Sequence, residues 1–161
     1  CSHDPLDIPR LMQEIRGSGA DMVQGSRYAP GGGVRGWPAH RWILSRTANQ
    51  LYHWFAGTPL DSTSTFRVMS RRAASTVATR AQCRGYDFVP EATLLVLAAG
   101  LTAREIPIVF TNRVRGESKL GMRQTVQGVT SFVAGVLQYR LRISRYARRP
   151  PHDGTTGEQG K

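Results

Sequence analysis

Apolar residues recur at intervals of three and four in several stretches of this chain, which is the spacing of one helix face. The first stretch, DPLDIPRLMQEIRGSG (4–19), predicts a short surface helix. Gly17 stands where a left-handed cap would end this helix. A second predicted helix begins after Pro38, which suits a first turn, and ends near Gly57. RRAASTVATR (71–80) predicts a weaker helix, and VPEATLLVLAAG (89–100) predicts one that packs inside the fold. The two apolar stripes are Ile8, Leu11, Met12 and Ile15 in the first helix, and Ile43, Leu44, Thr47, Ala48, Leu51, Tyr52 and Phe55 in the second.

Alternating or β-rich segments predict three strands between these helices. They are ADMVQGS (20–26), TFRVMS (65–70) and REIPIVFTN (104–112). The segment GGGVRG (31–36) is predicted to hold no regular structure, because glycine loses much backbone freedom when it is ordered.

The C-terminal third has a different character. A long helical pattern runs from Gly121 to about Tyr146, and its distal part is rich in arginine. We therefore divide the chain into a domain over 1–120, an amphipathic basic helix over 121–149 and a disordered tail over 150–161. A basic amphipathic helix suits the cytoplasmic leaflet of a membrane, whereas packing of its apolar face on the domain or on a second subunit is an equally open alternative.

Charge narrows the possible partners. Among the 161 residues, 22 are Lys or Arg and 11 are Asp or Glu, which gives a net charge of +11. Such an excess favours an anionic partner: nucleic acid, a membrane surface or a phosphorylated ligand. Cys1 and Cys83 fit no disulfide framework, which favours a reducing compartment such as the cytoplasm. The chain opens abruptly on Cys1 rather than Met, so we expect a fragment.

Familiar catalytic motifs are missing, and the chemistry that remains is cationic. The histidines have no metal-ligand spacing, and no G-x-S-x-G, P-loop or G-x-G-x-x-G is present. Arginine forks match phosphate oxygens, and helix N-termini add a favourable partial charge. Each arginine alone has the alternative of solvation or pairing with an acid, but their clustering with hydroxyls predicts phosphate binding. The candidate residues are Arg27, Arg41, Ser45, Arg113, Ser118 and Lys119.

Several motifs, taken in order, make the chain familiar. SHDPLDIPRL, GSRYAPGGGVRGW, LSRTANQL, DSTSTFRVMSRRA, GYDFVPE, IPIVFTNR and GESKL resemble the polyprenol (dolichol) phosphate mannosyltransferases of glycosyltransferase family two, over Cys1 to about Leu141. The resemblance implies an α/β fold of GT-A type, with a mixed sheet flanked by helices, of which this chain is the C-terminal portion. In that family an Asp-x-Asp motif, which holds a divalent metal (Mg²⁺ or Mn²⁺), directly precedes a segment like SHDP.

The resemblance also implies a reaction and roles for individual residues. Mannose passes from GDP-mannose to a polyprenyl phosphate with inversion, and no catalytic base is needed because the attacking phosphate is already an anion. The implied roles are catalysis for Asp61 and Arg67; phosphate binding for Arg27, Arg41, Ser45 and Arg113, with Ser118 and Lys119 nearby; an acceptor-loop hinge at Gly31, Gly32 and Gly33; and a weak metal contact for Ser2. Asp61 has the alternative role of a turn cap.

Other functions remain open at this point. Transfer of glucose or another sugar from a UDP donor fits the same motifs, since the donor base is read elsewhere in such enzymes. A basic nucleic-acid-binding or membrane-binding module without catalysis fits the charge, although aromatic interleaving for base stacking is not evident, and we expect no nucleic-acid partner. The expected partners are a nucleotide sugar, a polyprenyl phosphate and the cytoplasmic face of a membrane, together with a possible homodimer or separate membrane subunit.

Overall fold

The computed structural model describes residues 2–83, 85, 87–112, 135 and 137–141. Three candidate site residues, Arg113, Ser118 and Lys119, lie outside the described residues, as do most of the predicted C-terminal helix and the whole predicted tail. The helices and strands, in chain order, are α1 (Asp7–Ser18), β1 (Met22–Ser26), β2 (Gly33–Arg35), α2 (Ala39–Ala56), β3 (Arg67–Met69), α3 (Arg71–Arg80), α4 (Phe88–Ala98), β4 (Ala103–Pro107) and β5 (Val109–Thr111).

Strand β1 is the centre of a mixed three-stranded sheet. It pairs antiparallel with β3 and parallel with β4, and all five of its residues are buried. Successive side chains of a strand point to opposite faces, so Met22 and Val23 enter different hydrophobic clusters. The Met22 cluster contains α4 residues and Tyr52 of α2, whereas the Val23 cluster contains Leu11 of α1. The predicted α/β class, with a mixed sheet flanked by helices, is confirmed.

The four helices predicted within residues 1–100 are present, with one different cap. Helix α1 ends at Gly19, which has the left-handed φ of 65°, and not at Gly17 as predicted. Helix α2 ends at Gly57, with φ of 67° and its N–H donating to the His53 carbonyl, as predicted. Helix α3 begins at Ser70, whose hydroxyl accepts a hydrogen bond from the Ala73 N–H at 3.1 Å.

Two strand predictions need correction. The segment 31–36 was predicted to be irregular, but Gly33–Arg35 forms β2, paired parallel with β5 in a second small sheet. Backbone hydrogen bonds to a distant segment hold this strand, and these bonds do not depend on side chains. The predicted single strand over 104–112 is two strands in different sheets, and the break follows Pro107, which has no N–H for a ladder.

Helix α2 buries only one edge of its predicted apolar stripe. Only Tyr52 and Ala56 are buried, whereas Ile43, Leu44 and Phe55 of the predicted stripe are about half exposed. A helical residue lies on the same face as the residue four positions on, so the inward face carries a polar row in line with Tyr52 and Ala56. That row consists of Arg41, Ser45 and Asn49, all of them part-buried.

The glycine run has a steric requirement at one position that its neighbour lacks. A Cβ on Gly32 would lie 2.5 Å from the Ser26 carbonyl oxygen, whereas a Cβ on Gly33 would meet nothing within 4 Å. We expect Gly32→Ala to lower the free energy of unfolding by about 1–3 kcal/mol, as overpacking does, because backbone must shift. Gly33→Ala is the control and should be within about 0.5 kcal/mol of the wild type. Equal urea midpoints for the two variants would contradict this assignment.

Candidate functional site

A buried ion pair between Arg27 and Asp61 forms the centre of the candidate site. The Arg27 Nε donates to Asp61 Oδ2 and its Nη2 to Oδ1, both at 2.8 Å, and the Arg27 backbone N–H also donates to Oδ2. The side chains are only 7% and 0% exposed. This is the two-pronged geometry in which arginine binds a carboxylate most strongly. Arg27 directly follows β1, so the central strand fixes its position.

The surroundings keep Asp61 ionised. Burial alone would raise the pKa of this carboxyl, but the hydrogen bonds and charge of Arg27 outweigh burial and leave the pKa below its ordinary value. Its oxygens also accept hydrogen bonds from the Thr63 hydroxyl at 2.9 Å and from the Thr63 N–H. The second of these bonds makes the turn that Asp61 was alternatively predicted to cap. A carboxylate with so many donors is a poor proton acceptor.

The polar row on α2 closes over this pair. The Asn49 Nδ2 donates to Asp61 Oδ1 at 3.1 Å and to the Thr63 hydroxyl at 3.0 Å. The Ser45 hydroxyl lies 3.3 Å from that of Thr63, and Arg41 Nη1 lies 3.4 Å from Asn112 Oδ1. Of the predicted residues, Arg27, Ser45 and Asp61 are therefore linked through Thr63, and Arg41 lies near Arg27 because both guanidinium groups are beside the Trp37 ring. Sequence reasoning missed Asn49 and Thr63, although the four-residue spacing of the row was a usable signal for Asn49.

A second layer holds the backbone of Asp61. The buried Gln24 of β1 donates to the Asp61 carbonyl at 3.0 Å and to Glu105 Oε1 at 3.1 Å, and Glu105 accepts a hydrogen bond from the Asp61 N–H. Burial raises the pKa of Glu105, and these hydrogen bonds partly oppose that effect. Gln24 and Glu105 are register partners across β1 and β4. Single-sequence reasoning missed both residues because the pairing of these strands is non-local.

Arg67, the other predicted catalytic residue, makes different contacts. Its Nη1 donates to the Val89 carbonyl at 3.0 Å and to the Thr93 hydroxyl at 3.1 Å, and its Nη2 donates to the Ser64 carbonyl. Burial lowers the pKa of Arg67 to about 10, which still leaves a cation at neutral pH. These bonds connect β3 to the start of α4 and do not involve Arg27, Arg41 or Ser45. Its catalytic role stays a prediction.

Of the predicted acceptor-loop glycines, Gly31 borders an open cleft of about 700 Å³, which Ser2 also borders. Gly31, with φ of 88°, lies on one side of this cleft, and Ser2 and Arg35 also line it. Ser2 is buried, and its carbonyl accepts a hydrogen bond from the Thr111 N–H. Within the described part of the chain, no group of three or more His, Cys, Asp or Glu side chains is placed to hold a metal ion. The predicted metal contact of Ser2 stays a prediction.

Comparison with known proteins gives two informative matches. The chain is 37% identical over 121 residues to a polyprenol monophosphomannose synthase of Mycolicibacterium smegmatis, which covers 74% of this chain and 45% of that protein. It is 33% identical, over 74% of its length, to an undecaprenyl-phosphate mannosyltransferase of Micrococcus luteus, of which 49% is covered. This chain is homologous to polyprenyl-phosphate mannosyltransferases. The resemblance seen in the motifs is thereby confirmed.

The chain spans about half the length of these mannosyltransferase relatives. No family model matches it. Among the helices of the described residues, none combines the length and apolar character that crossing a membrane requires.

Removing the charge of Asp61 should be strongly destabilising. Asp61→Asn leaves the Arg27 cation buried without its partner, so we expect a loss of about 3–5 kcal/mol at pH 7. The folded pKa of Asp61 is lowered, so the stabilisation by its charge is complete above the unfolded value of about 3.9 and is lost as the pH falls through the folded pKa. The difference between wild type and variant should therefore shrink in urea titrations at decreasing pH.

The control for this experiment is Asp4→Asn. Asp4 is exposed, and its Oδ1 accepts a hydrogen bond from the Leu6 N–H, which an asparagine oxygen also accepts. We expect a change of less than about 0.5 kcal/mol, as for surface substitutions in general. If Asp61→Asn is as stable at pH 7 as Asp4→Asn, Asp61 is not the ionised partner of Arg27.

Proposed function

We propose that this chain is the acceptor-binding portion of a glycosyltransferase of GT-A type, which transfers mannose from GDP-mannose to a polyprenyl phosphate. The observation that carries the proposal is that Ser45 is linked to the buried Arg27–Asp61 pair through Thr63, and that Arg41 lies beside the same Trp37 ring as Arg27. The two relatives, a polyprenol monophosphomannose synthase and an undecaprenyl-phosphate mannosyltransferase, support the sugar and the acceptor class by their names. The donor nucleotide rests on the motif resemblance alone.

In the proposed reaction an oxygen of the lipid phosphate attacks the anomeric carbon of mannose. The new oxygen–carbon bond forms as the bond from that carbon to the nucleoside diphosphate breaks, and the configuration inverts. The nucleophile is already an anion, so no side chain has to accept a proton. The main barrier is repulsion between phosphates in a partly desolvated site, and removal of one preorganised donor from such a site costs about 3 kcal/mol.

Some residues of the site position the donor groups, and others bind the incoming phosphate. Asp61 and Asn49 fix the Arg27 guanidinium and the Thr63 hydroxyl in one arrangement. Because Asp61 is saturated with donors, we assign it positioning of these groups and not proton transfer. Arg41 and Ser45, on the inward face of α2, are part-buried and supply a cation and a hydroxyl to an incoming phosphate.

The divalent metal, Mg²⁺ or Mn²⁺, is part of the proposed reaction but is not assigned to residues described above. Ser2 offers one hydroxyl, and the carboxylate of the neighbouring Asp7 is paired with Arg10. These groups do not form a divalent-metal site, which needs several oxygen ligands around one ion. No step assigned to Arg27, Arg41 or Ser45 depends on the metal.

The outward face of α2 supports a membrane surface as a partner. Ile43, Leu44, Trp54 and Phe55 are between about half and two-thirds exposed. Arg140 donates to the Trp54 and Phe55 carbonyls at the C-terminal end of this helix, where a cation is favourable. An apolar face with tryptophan and flanking arginines is typical of helices that lie in a membrane interface. We infer that α2 rests on the cytoplasmic leaflet and brings Arg41 to the lipid phosphate.

Arg41→Ala should abolish transfer without unfolding the protein. We expect the rate of mannose transfer from labelled GDP-mannose to undecaprenyl phosphate to fall about 100-fold, which corresponds to the loss of one transition-state donor. The assay uses the product of the whole reading frame that encodes this chain. Arg72→Ala, which removes an exposed arginine on α3, is the control for charge and should retain full activity. Near-normal turnover by Arg41→Ala would refute its role.

Replacing Trp54 and Phe55 together with serine should weaken membrane binding. We expect at least a tenfold lower partition onto vesicles of phosphatidylcholine and phosphatidylglycerol, since each side chain loses an apolar contact worth about 1.5–3 kcal/mol when fully buried. Leu6→Ser is the control, because Leu6 is 75% exposed but lies before α1. Equal vesicle binding by the double variant and Leu6→Ser would exclude α2 as the docking face.

A further inference from the structure

Three arginines of the site alternate with aromatic rings. The Arg41 guanidinium lies 4.4 Å from the centre of the Trp37 ring, and that of Arg27 lies 5.1 Å from the same ring. Arg27 also lies 5.5 Å from the Tyr28 ring, and Arg46 lies 5.7 Å from it. Arg46 continues the series with the Trp42 ring at 5.5 Å. All five distances are within the range of cation–π attraction, and the series Arg41, Trp37, Arg27, Tyr28, Arg46 and Trp42 is called the arginine stack.

The aromatic rings of the arginine stack offset the repulsion between its guanidinium groups. Like charges repel, so guanidinium groups that share one neighbourhood need compensation. Arg27 has Asp61 as an ion-pair partner, whereas Arg46 has no acidic partner among the described residues and lies near the rings of Tyr28 and Trp42. A ring attracts each cation near it, and Trp37 and Tyr28 each have two guanidinium groups within cation–π range, so these rings hold neighbouring cations close together.

A guanidinium that stacks on a ring still has its hydrogen-bond donors. The five N–H groups of arginine lie in the plane of the guanidinium, at its edge, whereas stacking uses the face. Arg27 has directed two of its nitrogens to Asp61, but Arg46 makes no hydrogen bond or ion pair with the described residues. Arg46 is exposed, so its donor edge is accessible to an anion. The buried indole N–H of Trp37 is a further donor without a partner among the described residues.

We propose that Arg46 is a further phosphate-binding residue of the acceptor site, and that the Tyr28 ring positions it relative to Arg27. The inference rests on the proposed function for the identity of the ligand, which is a phosphate monoester on a lipid. It adds a cation that the motif resemblance does not supply, and it gives Tyr28, Trp37 and Trp42 a role as spacers between cations. The fold supports this arrangement, because Gly36 has φ of 74° and Trp37 packs edge-on against Phe110 at 5.3 Å.

The test is binding of farnesyl phosphate to the whole chain, measured by isothermal titration calorimetry. We expect Arg46→Gln to weaken binding about tenfold, as loss of one charged donor does, whereas Arg72→Gln, which removes the same charge from α3, stays within about twofold. We expect Tyr28→Phe, which keeps the ring, to bind within about threefold of the wild type, and Tyr28→Leu, which removes the ring, to lose about tenfold. All four residue changes are checked for folding by circular dichroism.

Each result decides the question. The inference is overturned if the wild type does not bind farnesyl phosphate, if Arg46→Gln binds as tightly as Arg72→Gln, or if Tyr28→Phe loses as much as Tyr28→Leu. If Tyr28→Leu does not fold, the binding of farnesyl phosphate by Arg46→Gln and by Tyr28→Phe decides the question, since Arg46 is exposed and Tyr28→Phe is conservative. The expected binding pattern without any mannose transfer would remove the proposed function and keep the stack. Mannose transfer that is unchanged in Arg46→Gln would remove the role of Arg46 and keep the proposed function.

Discussion

The buried ion pair between Arg27 and Asp61 is the interaction on which the rest of the site depends. Removing two charges from water costs several kcal/mol for each ion, and their attraction compensates only when the remaining hydrogen-bonding positions are also satisfied. Asp61 meets this condition with three hydrogen bonds from Arg27, two from Thr63 and one from Asn49. The pair therefore ties the end of β1 to the segment after α2 and fixes which face of α2 is turned inward.

That constraint explains the unusual orientation of α2. A surface helix ordinarily turns its apolar face to the core. Here Asn49 has to reach Asp61, and Arg41 and Ser45 follow it inward because they are in line with it at intervals of four residues. Ile43 and Trp54 consequently lie on the outward face, opposite this polar row. A lipid acceptor has an apolar chain and a charged end, and this helix offers a separate face for each.

Local patterns predicted the elements well, and non-local contacts account for the errors. Helices α1 to α4 and strand β1 follow from periodicity and end signals that lie within a few residues of each other. Strand β2 was missed because its partner is β5, distant in sequence, and backbone pairing leaves no mark on a glycine-rich segment. The apolar stripe predicted for α2 is buried only in part, because the hydrogen bonds of Asn49 to Asp61 and Thr63 turn a polar row inward beside Tyr52.

In the candidate site, too, the sequence indicated the residues, whereas their non-local contacts determine the roles of the arginines. Motif resemblance indicated Arg27, Arg41, Ser45 and Asp61, but the contacts of Arg27 change its expected role, since two of its five guanidinium N–H groups bind Asp61 and a third binds Thr63. A guanidinium neutralised in this way positions its neighbours more than it attracts a ligand. The attraction then has to come from cations placed around Arg27, and aromatic rings are the neutral groups that can space them without cancelling their charge. The glycine-rich turn before Trp37 is what brings such a ring to the pair.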